Sequence, residues 1–332
     1  MERQSGSPDE SVEAGEWTPV YNPATREIVG RVARQGPGDV DEAVSVVHSA
    51  MPGWASRDPS ERGKVLYAAA AQVRGEQDAL SRLLTREQGK PLRESRNEIA
   101  GFARILEYYA SVCGTVRGDY SYSSLYGHAI VSRKPIGICG AIIPWNVPAI
   151  IMGWKVGPAL AAGNGVILKP ASTAPLTCTA LASILTNAGL PEGVLEVVTG
   201  PGEIVGDAIV THPQIRAVSF TGEVATGRQV SSRAAPLLKR LTLELGGSDP
   251  MIICRDADLT NAAKGAVSGR FFNCGQTCTA VKRMIVDETI ADEVTGKLKT
   301  LISALQVGNG LDNGIDIGPV HTQRQRETVL SQ

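Results

Sequence analysis

The chain has 332 residues, a length that suggests about two domains with a substantial core. Hydrophobic residues make up 42 % and charged residues 20 %, as is ordinary for a soluble globular protein. With 33 Lys and Arg against 34 Asp and Glu, the net charge is −1. This balance argues against a nucleic-acid-binding protein that neutralises phosphates and against a basic membrane-binding patch.

The N-terminal region, residues 1–16, is polar and acidic, and we expect it to be disordered. It lacks the basic start and apolar stretch of a signal peptide. The most apolar region, 136–168, is interrupted by prolines and polar residues, so no transmembrane helix is expected. Six cysteines without a secretion signal are expected to be reduced thiols. We therefore predict a cytoplasmic protein.

The first third of the chain is predicted to be mostly helical. Residues 17–32 contain two β-prone pieces around an Asn-Pro turn and predict a hairpin. Helices are predicted from Asp39, over Ser60–Gln88 and over Glu94–Cys113, followed by a strand-like stretch over 115–135. The helix over Glu94–Cys113 carries an apolar face that we assign to the core: Ile99, Phe102, Ile105, Leu106 and Tyr109.

From residue 136 onward, strand-like and helical stretches alternate. Helical stretches begin near Pro148, Pro175, Gly202, Gly222 and Asp258. The strand-like runs are short and rich in Val, Ile and Leu: Ile136–Ile143, Gly165–Lys169, Val194–Val198, Ala217–Phe220 and Met251–Ile253. This alternation predicts βαβ units, a parallel sheet and an α/β fold class.

Cys278 is the first candidate for chemistry, and it follows Cys274-Gly275-Gln276-Thr277. Two cysteines without a second pair or a His-x-x-x-His partner do not support a zinc site, so no metal is predicted. A buried, inert thiol is the ordinary interpretation of any single cysteine. The polar approach to Cys278 suggests instead a segment that leads into a helix, whose free N–H groups would favour the thiolate that attacks carbonyls.

Glu244 is a candidate general base within the apolar, strand-like segment Leu243-Glu244-Leu245-Gly246-Gly247. Such a carboxylate is either held in a structural pair or shifted by desolvation towards a pKa suited to proton transfer, and the sequence does not decide between them. The four histidines lie in polar or loop contexts away from any obvious nucleophile: His48, His128, His212 and His321. A Cys-His or Ser-His hydrolase is therefore the weaker hypothesis.

Three further segments are suited to anionic or polar ligands. Gly222 and Glu223 lie between a strand-like run and a helical one, where a helix N-terminus favours phosphate, although the spacing matches neither GxGxxG nor a P-loop. Lys169 ends a strand at the sheet edge where ligands bind; a solvated lysine is the alternative. Asn146 follows Pro144-Trp145, and its amide suits either an oxyanion or a turn.

In chain order, these motifs resemble the NAD(P)-dependent aldehyde dehydrogenase superfamily. The matching segments are Pro144-Trp145-Asn146, Lys169-Pro170-Ala171-Ser172, Phe220-Thr221-Gly222, Glu244-Leu245-Gly246-Gly247 and Gly275-Gln276-Thr277-Cys278, with Glu87-Gln88-Gly89-Lys90-Pro91 as a further match. The interval from Glu244 to Cys278, 278 − 244 = 34 residues, agrees with the family's usual spacing. The similarity extends from about Trp17 to Pro319.

The resemblance implies a role for each matching residue. Cys278 would attack an aldehyde to give a thiohemiacetal, whose oxyanion Asn146 and the backbone N–H of Cys278 would stabilise. Glu244 would activate the water that hydrolyses the thioester left after hydride transfer. NAD or NADP would be bound with Lys169 at the adenosine ribose and with Gly202 and the Gly222 turn near adenine and pyrophosphate. The full set of implied cofactor-binding residues is Ile142, Ile143, Pro144, Trp145, Lys169, Ser172, Gly202, Gly222, Glu223 and Leu245.

The resemblance also implies the arrangement of domains. A Rossmann-like parallel-sheet cofactor domain would occupy 17–244, with a β-arm near 115–135 for oligomerisation. Residues 245–332 would form the first part of an incomplete α/β catalytic domain. Relatives continue well beyond Gln332, and that part completes the catalytic domain and supplies a strand used in oligomerisation. A homo-oligomer is therefore expected of a full-length form.

Three segments depart from the family pattern, at four positions. Ser172 stands where members that prefer NAD often carry a glutamate, so we expect NADP to be accepted or preferred. Glu223 replaces a serine and would place a carboxylate near the pyrophosphate. Ser248-Asp249 replaces Lys-Ser, and no functional reason for this change is apparent.

Three functional hypotheses follow. The first is an enzyme that oxidises a small aldehyde to a carboxylic acid with NAD(P)+, and the second is a truncated chain that binds dinucleotide without turnover. The third is an acylating enzyme in which coenzyme A resolves the thioester, against which Glu244 argues. The aldehyde is not identified, although Lys-Pro-Ala-Ser and Gly-Gln-Thr-Cys are similar to succinate-semialdehyde dehydrogenases.

Overall fold

The computed structural model describes residues 16–332, so the predicted disordered tail lies outside the described residues except for Glu16. The described chain begins with the predicted antiparallel hairpin, β1 (Trp17–Tyr21) and β2 (Ile28–Ala33). None of the helices within residues 16–332 has the length and apolar character needed to cross a membrane.

Four helices follow the hairpin: α1 (Pro37–Ala55), α2 (Pro59–Gly75), α3 (Gln77–Gln88) and α4 (Leu92–Val112). The helix predicted from Asp39 begins two residues earlier, because Pro37 fits the first helical turn. The single helix predicted over Ser60–Gln88 is wrong: the chain breaks at Glu76, directly after Gly75, a residue that weakens helices. A second antiparallel hairpin follows, β3 (Asp119–Ser123) and β4 (Gly127–Val131).

The predicted parallel sheet is present and has five strands. They are β5 (Ile138–Ile142), β6 (Gly165–Lys169), β7 (Leu195–Val197), β8 (Ile215–Gly222) and β9 (Arg240–Leu245), in the order β7-β6-β5-β8-β9. The connecting helices are α5 (Pro148–Ala161), α6 (Leu176–Asn187), α7 (Asp207–Thr211), which continues a π-helical turn at Gly202–Gly206, and α8 (Val224–Ala234). Strand order reverses between β5 and β8, which makes their carboxyl ends the topological switch point.

Alternating side chains of the central strands supply two cores, one on each face of the sheet. On β6, Val166 and Leu168 pack with α2, α4, α5 and α6, whereas Ile167 between them packs with α1, α7 and α8. Because successive side chains of a strand point to opposite faces, a strand buried on both faces must be apolar throughout. The continuous Val-Ile-Leu run therefore determines the doubly covered sheet.

Beyond the central sheet, the chain forms a separate two-stranded parallel sheet, β10 (Asp249–Ile253) with β11 (Val281–Val286). Helix α9 (Leu259–Phe271) joins the two strands, and α10 (Ala291–Ser303) packs against it. The described chain ends with α11 (Gln323–Ser331). The segment between α10 and α11 returns to α3 and α4, because the backbone N–H of Leu92 donates to the Gly310 carbonyl.

The segment between α3 and α4 is tied to the sheet by a buried carboxylate. Glu87 accepts hydrogen bonds from the backbone N–H groups of Leu176 and Thr177, each at 2.8 Å, and so caps the first turn of α6. The side chain of Glu87 is fully buried. Since the first N–H groups of a helix have no partner within it, this carboxylate replaces the missing acceptors.

We expect Glu87→Ala to lower the free energy of unfolding by about 2–4 kcal/mol, because it leaves two donors in or near the core without acceptors. Urea unfolding of the chain measures this change. Glu42→Ala, at an exposed position of α1, is the matched control and should stay within about 0.5 kcal/mol of the wild type. A Glu87→Ala loss as small as that of the control would contradict the capping role.

Glu87 also makes the stability depend on pH. Burial raises the pKa of this carboxyl to about 7 from its ordinary value of 4.5. The folded state therefore holds a proton that the unfolded state releases, so the contribution of Glu87 is greatest below pH 4.5 and falls as the pH rises to 7. Glu87→Gln does not titrate, and its stability relative to the wild type should improve between pH 5 and 8. If the difference in unfolding free energy between Glu87→Gln and the wild type stayed constant from pH 5 to 8, titration of Glu87 in this range would be excluded.

Candidate functional site

The carboxyl ends of all five central strands carry sequence-predicted cofactor residues. Strand β5 ends at Ile142 and leads directly into Ile143, Pro144 and Trp145; β6 ends at Lys169, three residues before Ser172. Gly202 begins the turn after β7, while Gly222 and Leu245 end β8 and β9. Because the strands are parallel, these ends lie along one edge of the sheet, where open α/β sheets bind ligands.

Asn146 is fixed by a buried ion pair that sequence reasoning missed. The Lys90 ammonium donates to the backbone carbonyl of Asn146 at 2.6 Å and to the Glu98 carboxylate at 2.5 Å. The other oxygen of Glu98 accepts from the backbone N–H of Ala149 at 2.8 Å, in the first turn of α5. Lys90 and Glu98 are 1 % and 2 % exposed, so this contact is shielded from solvent. The pair therefore holds the backbone that directly follows the Asn146 side chain, from the carbonyl of Asn146 to the N–H of Ala149.

The cysteine loop, which we define as residues 272–280, begins with an unusual backbone. Asn273, Cys274 and Gly275 all have left-handed φ angles, of 53°, 57° and 75°. This conformation costs on the order of 1 kcal/mol or more at each residue other than glycine, so the surrounding contacts must hold it. The buried Glu94 carboxylate accepts from the backbone N–H of Asn273 at 2.7 Å, and the Cys274 thiol accepts from the Gly318 N–H at 3.2 Å.

The cysteine loop is joined directly to the segment after β5. The Nδ2 of Asn146 donates to the carbonyl of Gln276 at 3.0 Å, and the Nδ2 of Asn273 donates to the carbonyl of Asn146, also at 3.0 Å. The Oδ1 of Asn146 is buried without a hydrogen-bond partner among the described residues. The predicted oxyanion residue and the predicted nucleophile's loop thus form one hydrogen-bonded unit.

Cys278 is exposed within the cysteine loop, and the expected helix after it is wrong. Helix α9 ends at Phe271, before the loop, and strand β11 begins at Val281, after it. The β-branched and apolar residues of β11 favour a strand there. The other loop cysteine, Cys274, is half-buried, and burial raises the pKa of its thiol to about 11, which keeps it protonated.

Glu244 is exposed, so it is not the buried carboxylate that one of the two sequence-based alternatives required. It lies on β9, one of the two edge strands of the central sheet, whose alternate residues face solvent. The charge of Glu244 acts on Lys155 of α5, whose ammonium donates to Ser219 Oγ at 2.8 Å. The loop after β9 reaches the cysteine loop, because Lys282 Nζ donates to the carbonyls of both Gly247 and Cys278, at 2.5 and 2.9 Å.

Lys169 and Ser172 form a polar corner at the end of β6. Lys169 is only 3 % exposed, and burial lowers the pKa of its ammonium to about 8. Its Nζ donates to the Pro170 carbonyl at 3.1 Å, and a neighbouring anion would favour the charged form. Ser172 Oγ donates to the carbonyl of Gly200 at 2.7 Å. The solvated-surface alternative for Lys169 is therefore wrong.

The turn at Gly222 presents the N-terminus of α8. Glu223 is the N-cap residue of this helix, and its side chain makes no capping hydrogen bond. A Cβ atom at Gly222 would lie 2.6 Å from the ring of Phe220, so a larger residue there would require the ring to move. The first N–H groups of α8 suit a phosphate, whereas the exposed Glu223 carboxylate opposes one.

A groove of about 400 Å³ lies between α4 and α5. Its lining is mostly aromatic and aliphatic: Gly101, Arg104, Ile105, Tyr108, Tyr109, Ile150 and Trp154. Ile150 and Trp154 are four residues apart in α5, so they lie on the same face of this helix, in the part that begins shortly after Asn146. Ile99, Phe102 and Leu106 are core residues as predicted, but Ile105 and Tyr109 are half-buried and line the groove.

Sequence reasoning missed four polar residues around the site: Lys90, Glu94, Glu98 and His321. Glu94 and Glu98 lie on the same face of α4 as the core residue Phe102, at four-residue spacing. Burying a carboxylate on the apolar face of a helix is costly unless it is paired. The spacing of these glutamates with Phe102 was therefore a signal in the sequence that they have buried partners. No local signal marked His321, whose ring contacts lie far away in sequence.

Ser248-Asp249, the third departure, lies where β10 begins, and nothing in the structure explains it. Across residues 16–332, no group of three or more His, Cys, Asp and Glu side chains is arranged to hold a metal ion.

Comparison with known proteins extends over nearly the whole chain. The model of the aldehyde dehydrogenase family matches residues 10–332. Succinate-semialdehyde dehydrogenase [NADP(+)] GabD from Escherichia coli is 40 % identical over 311 residues, which cover 92 % of this chain and 64 % of that protein. Phenylacetaldehyde dehydrogenase from Pseudomonas fluorescens is 40 % identical over 323 residues, which cover 94 % and 64 %.

The fold agrees with solved structures of the same kind. The crystal structure of an E. coli NADP-dependent enzyme superimposes with a TM-score of 0.94 at 39 % identity, covering 96 % of this chain and 66 % of that one. The chain therefore spans about two thirds of the length of these proteins. With a family model matched over residues 10–332 and a relative 40 % identical over 92 % of its length, the chain belongs to the aldehyde dehydrogenase family.

Proposed function

We propose that the chain carries the dinucleotide site and the nucleophile of an enzyme that oxidises an aldehyde to a carboxylic acid with NAD(P)+. The observation that supports this most is the hydrogen-bonded unit between Asn146 and the cysteine loop, located at the carboxyl edge of the parallel sheet. An amide donor, a thiol and a ligand-binding sheet edge are the parts that thiol-based aldehyde oxidation requires.

In this proposal, the thiolate of Cys278 attacks the aldehyde carbon and forms a thiohemiacetal. One N–H of Asn146 is occupied by the Gln276 carbonyl, which orients the amide so that its second N–H is available for the oxyanion. The backbone N–H of Cys278 is the second donor. Because Lys90 and Glu98 fix the backbone around Asn146, this amide needs little reorganisation when charge develops on the oxygen.

Glu244 is the proposed base for the water that hydrolyses the thioester. It takes a proton from the water, whose oxygen attacks the thioester carbon and releases the Cys278 thiolate together with the acid. Its exposed position on the edge strand supplies access to water.

NAD(P)+, when bound, supplies the acceptor for the hydride that leaves the thiohemiacetal carbon. Lys169 fits such a ligand, since the Pro170 carbonyl is the only hydrogen-bond partner of its buried ammonium among the described residues, and hydroxyl or phosphate oxygens would add further acceptors. The N–H groups at the start of α8 fit the pyrophosphate. The segment Ile142–Trp145, Gly202 and Leu245 complete the proposed dinucleotide site.

The groove between α4 and α5 is the proposed place for the rest of the aldehyde. Its aromatic and aliphatic lining favours an apolar or aromatic group over a small carboxylate, although Arg104 offers a guanidinium at the same groove. This lining argues for an aldehyde such as phenylacetaldehyde rather than for the succinate-semialdehyde-like substrate that the motifs suggest.

A second candidate function is dinucleotide binding without turnover. It is favoured by the exposure of both Cys278 and Glu244, since catalytic thiols and bases work best in shielded sites.

The proposed domains are a cofactor domain over 17–244 and part of a catalytic domain over 245–332. The hairpin β3–β4 exposes several large apolar side chains, Tyr120, Tyr122, Tyr126 and Ile130, and is the proposed contact with a second copy in a homo-oligomer.

Cys278→Ser should reduce NADPH formation from phenylacetaldehyde and NADP+ by at least about a thousandfold, as expected for loss of a covalent nucleophile. Absorbance of NADPH measures the rate, and succinate semialdehyde provides the comparison substrate. Cys254→Ser, which changes another exposed cysteine, should leave the rate unchanged. Unchanged oxidation by Cys278→Ser would contradict the nucleophile, and a folded wild type that binds dinucleotide without forming NADPH would favour the second function.

Ser172→Glu should raise the ratio of the dissociation constants for NADP and NAD by about tenfold or more, because its carboxylate would repel a 2′-phosphate near Lys169. Isothermal titration calorimetry at constant ionic strength measures both constants. Ser183→Glu makes the same charge change at an exposed position of α6 and should leave the ratio unchanged. Equal effects of the two variants would argue against Ser172 as a determinant of cofactor choice.

A further inference from the structure

His321 is buried among residues that the proposed function places on two sides of the site. Its ring lies parallel to the ring of Trp145, with centroids 4.6 Å apart and an angle of 12°. Its Nδ1 lies 3.1 Å from the carbonyl of Gln88, and its Nε2 lies 2.8 Å from the hydroxyl of Thr173, the residue after Ser172. The residue is only 6 % exposed.

These contacts determine the state of the ring. A carbonyl only accepts hydrogen bonds, so Nδ1 carries the proton and donates to Gln88, while Nε2 accepts from Thr173. Burial lowers the pKa of His321 to about 4, so the ring is neutral near pH 7. One tautomer in one orientation therefore satisfies both nitrogens and the stack on Trp145.

The backbone around His321 closes over the cysteine loop. The N–H of His321 donates to Gln276 Oε1 at 3.0 Å, and the N–H of Gly318 donates to the Cys274 thiol. The carbonyl of Gln276 is the acceptor of the Asn146 amide. We call residues 318–321 the strap, because this segment bonds to the cysteine loop at two places.

We propose that His321 is a positioning residue: its ring orders Trp145 on the dinucleotide side and anchors the strap over the cysteine loop. This inference depends on the proposed function for its dinucleotide side only. His321 touches no reacting atom in this account. It acts through Trp145, through Thr173 beside the Lys169–Ser172 corner, and through Gln276.

Two substitutions separate the contributions of the stack and the hydrogen bonds. His321→Phe keeps an aromatic ring against Trp145 and removes both ring hydrogen bonds. His321→Asn keeps a donor near the position of Nδ1 and removes the stack. His48→Phe and His48→Asn, at an exposed position of α1, are the matched controls.

The strap is tested by alkylation of cysteines with iodoacetamide, followed peptide by peptide with mass spectrometry. In His321→Phe, alkylation of Cys274 should accelerate by at least about fivefold, because the loss of both ring hydrogen bonds favours local opening of the strap. Fully buried Cys178 should stay protected, and exposed Cys254 should react at the wild-type rate. An unchanged alkylation rate of Cys274 would overturn the anchoring role. So would an equal acceleration of the alkylation of Cys178, because it would show that the whole fold has loosened.

The stack is tested by calorimetric titration with NADP. In His321→Asn the dissociation constant should rise about two- to tenfold, since a released Trp145 must be ordered again on binding, whereas His321→Phe should stay within about twofold. Equal constants for wild type and His321→Asn would overturn the ordering of Trp145. If the wild type bound no dinucleotide, the proposed function would fail. The stack would then be tested by the fluorescence of Trp145, obtained as the difference between the spectra with and without the Trp145→Phe change. This fluorescence should change in His321→Asn and stay the same in His48→Asn, and an unchanged spectrum in His321→Asn would overturn the stack.

Discussion

The candidate site depends on the buried ion pair between the Lys90 ammonium and the Glu98 carboxylate. The ammonium contacts the carbonyl of Asn146 and the carboxylate of Glu98, which in turn holds the N–H of Ala149 at the start of α5. Burying one charge without a partner is costly, whereas a buried pair with further hydrogen bonds is tolerated. The ion pair therefore fixes a backbone segment that the sheet alone would leave as a mobile loop.

The sheet and the buried carboxylates have different tasks. The parallel strands bring five chain segments to one edge, and the reversal of strand order between β5 and β8 opens a crevice there. The distances between side chains within this crevice are set by three carboxylates from α3 and α4: Glu87 at α6, Glu94 at the cysteine loop and Glu98 at α5. The segment from Glu87 to Glu98 thereby connects the dinucleotide side of the site with the cysteine loop.

The strands and helices could be predicted where the pattern is local. Apolar runs such as Gly165–Lys169 and proline-initiated helices such as α5 follow from residues within a few positions, and so does the placement of Lys169 at a strand end. The exposure of Glu244 could not be predicted, because it depends on β9 being an edge strand. The helix expected after Cys278 failed because β11 pairs with β10, about thirty residues away. The contacts of Lys90 and His321 join residues 56 and 233 positions apart, beyond any local pattern.

A double-mutant cycle on the free energy of unfolding tests the Lys90–Glu98 constraint most directly, with the variants Lys90→Met, Glu98→Met and the double change measured by urea denaturation. Each single change should cost about 3–5 kcal/mol, because it leaves an uncompensated buried charge, and the double change should cost clearly less than their sum. Single costs that add within about 0.5 kcal/mol would contradict the account, since the two side chains would then not act as one buried pair.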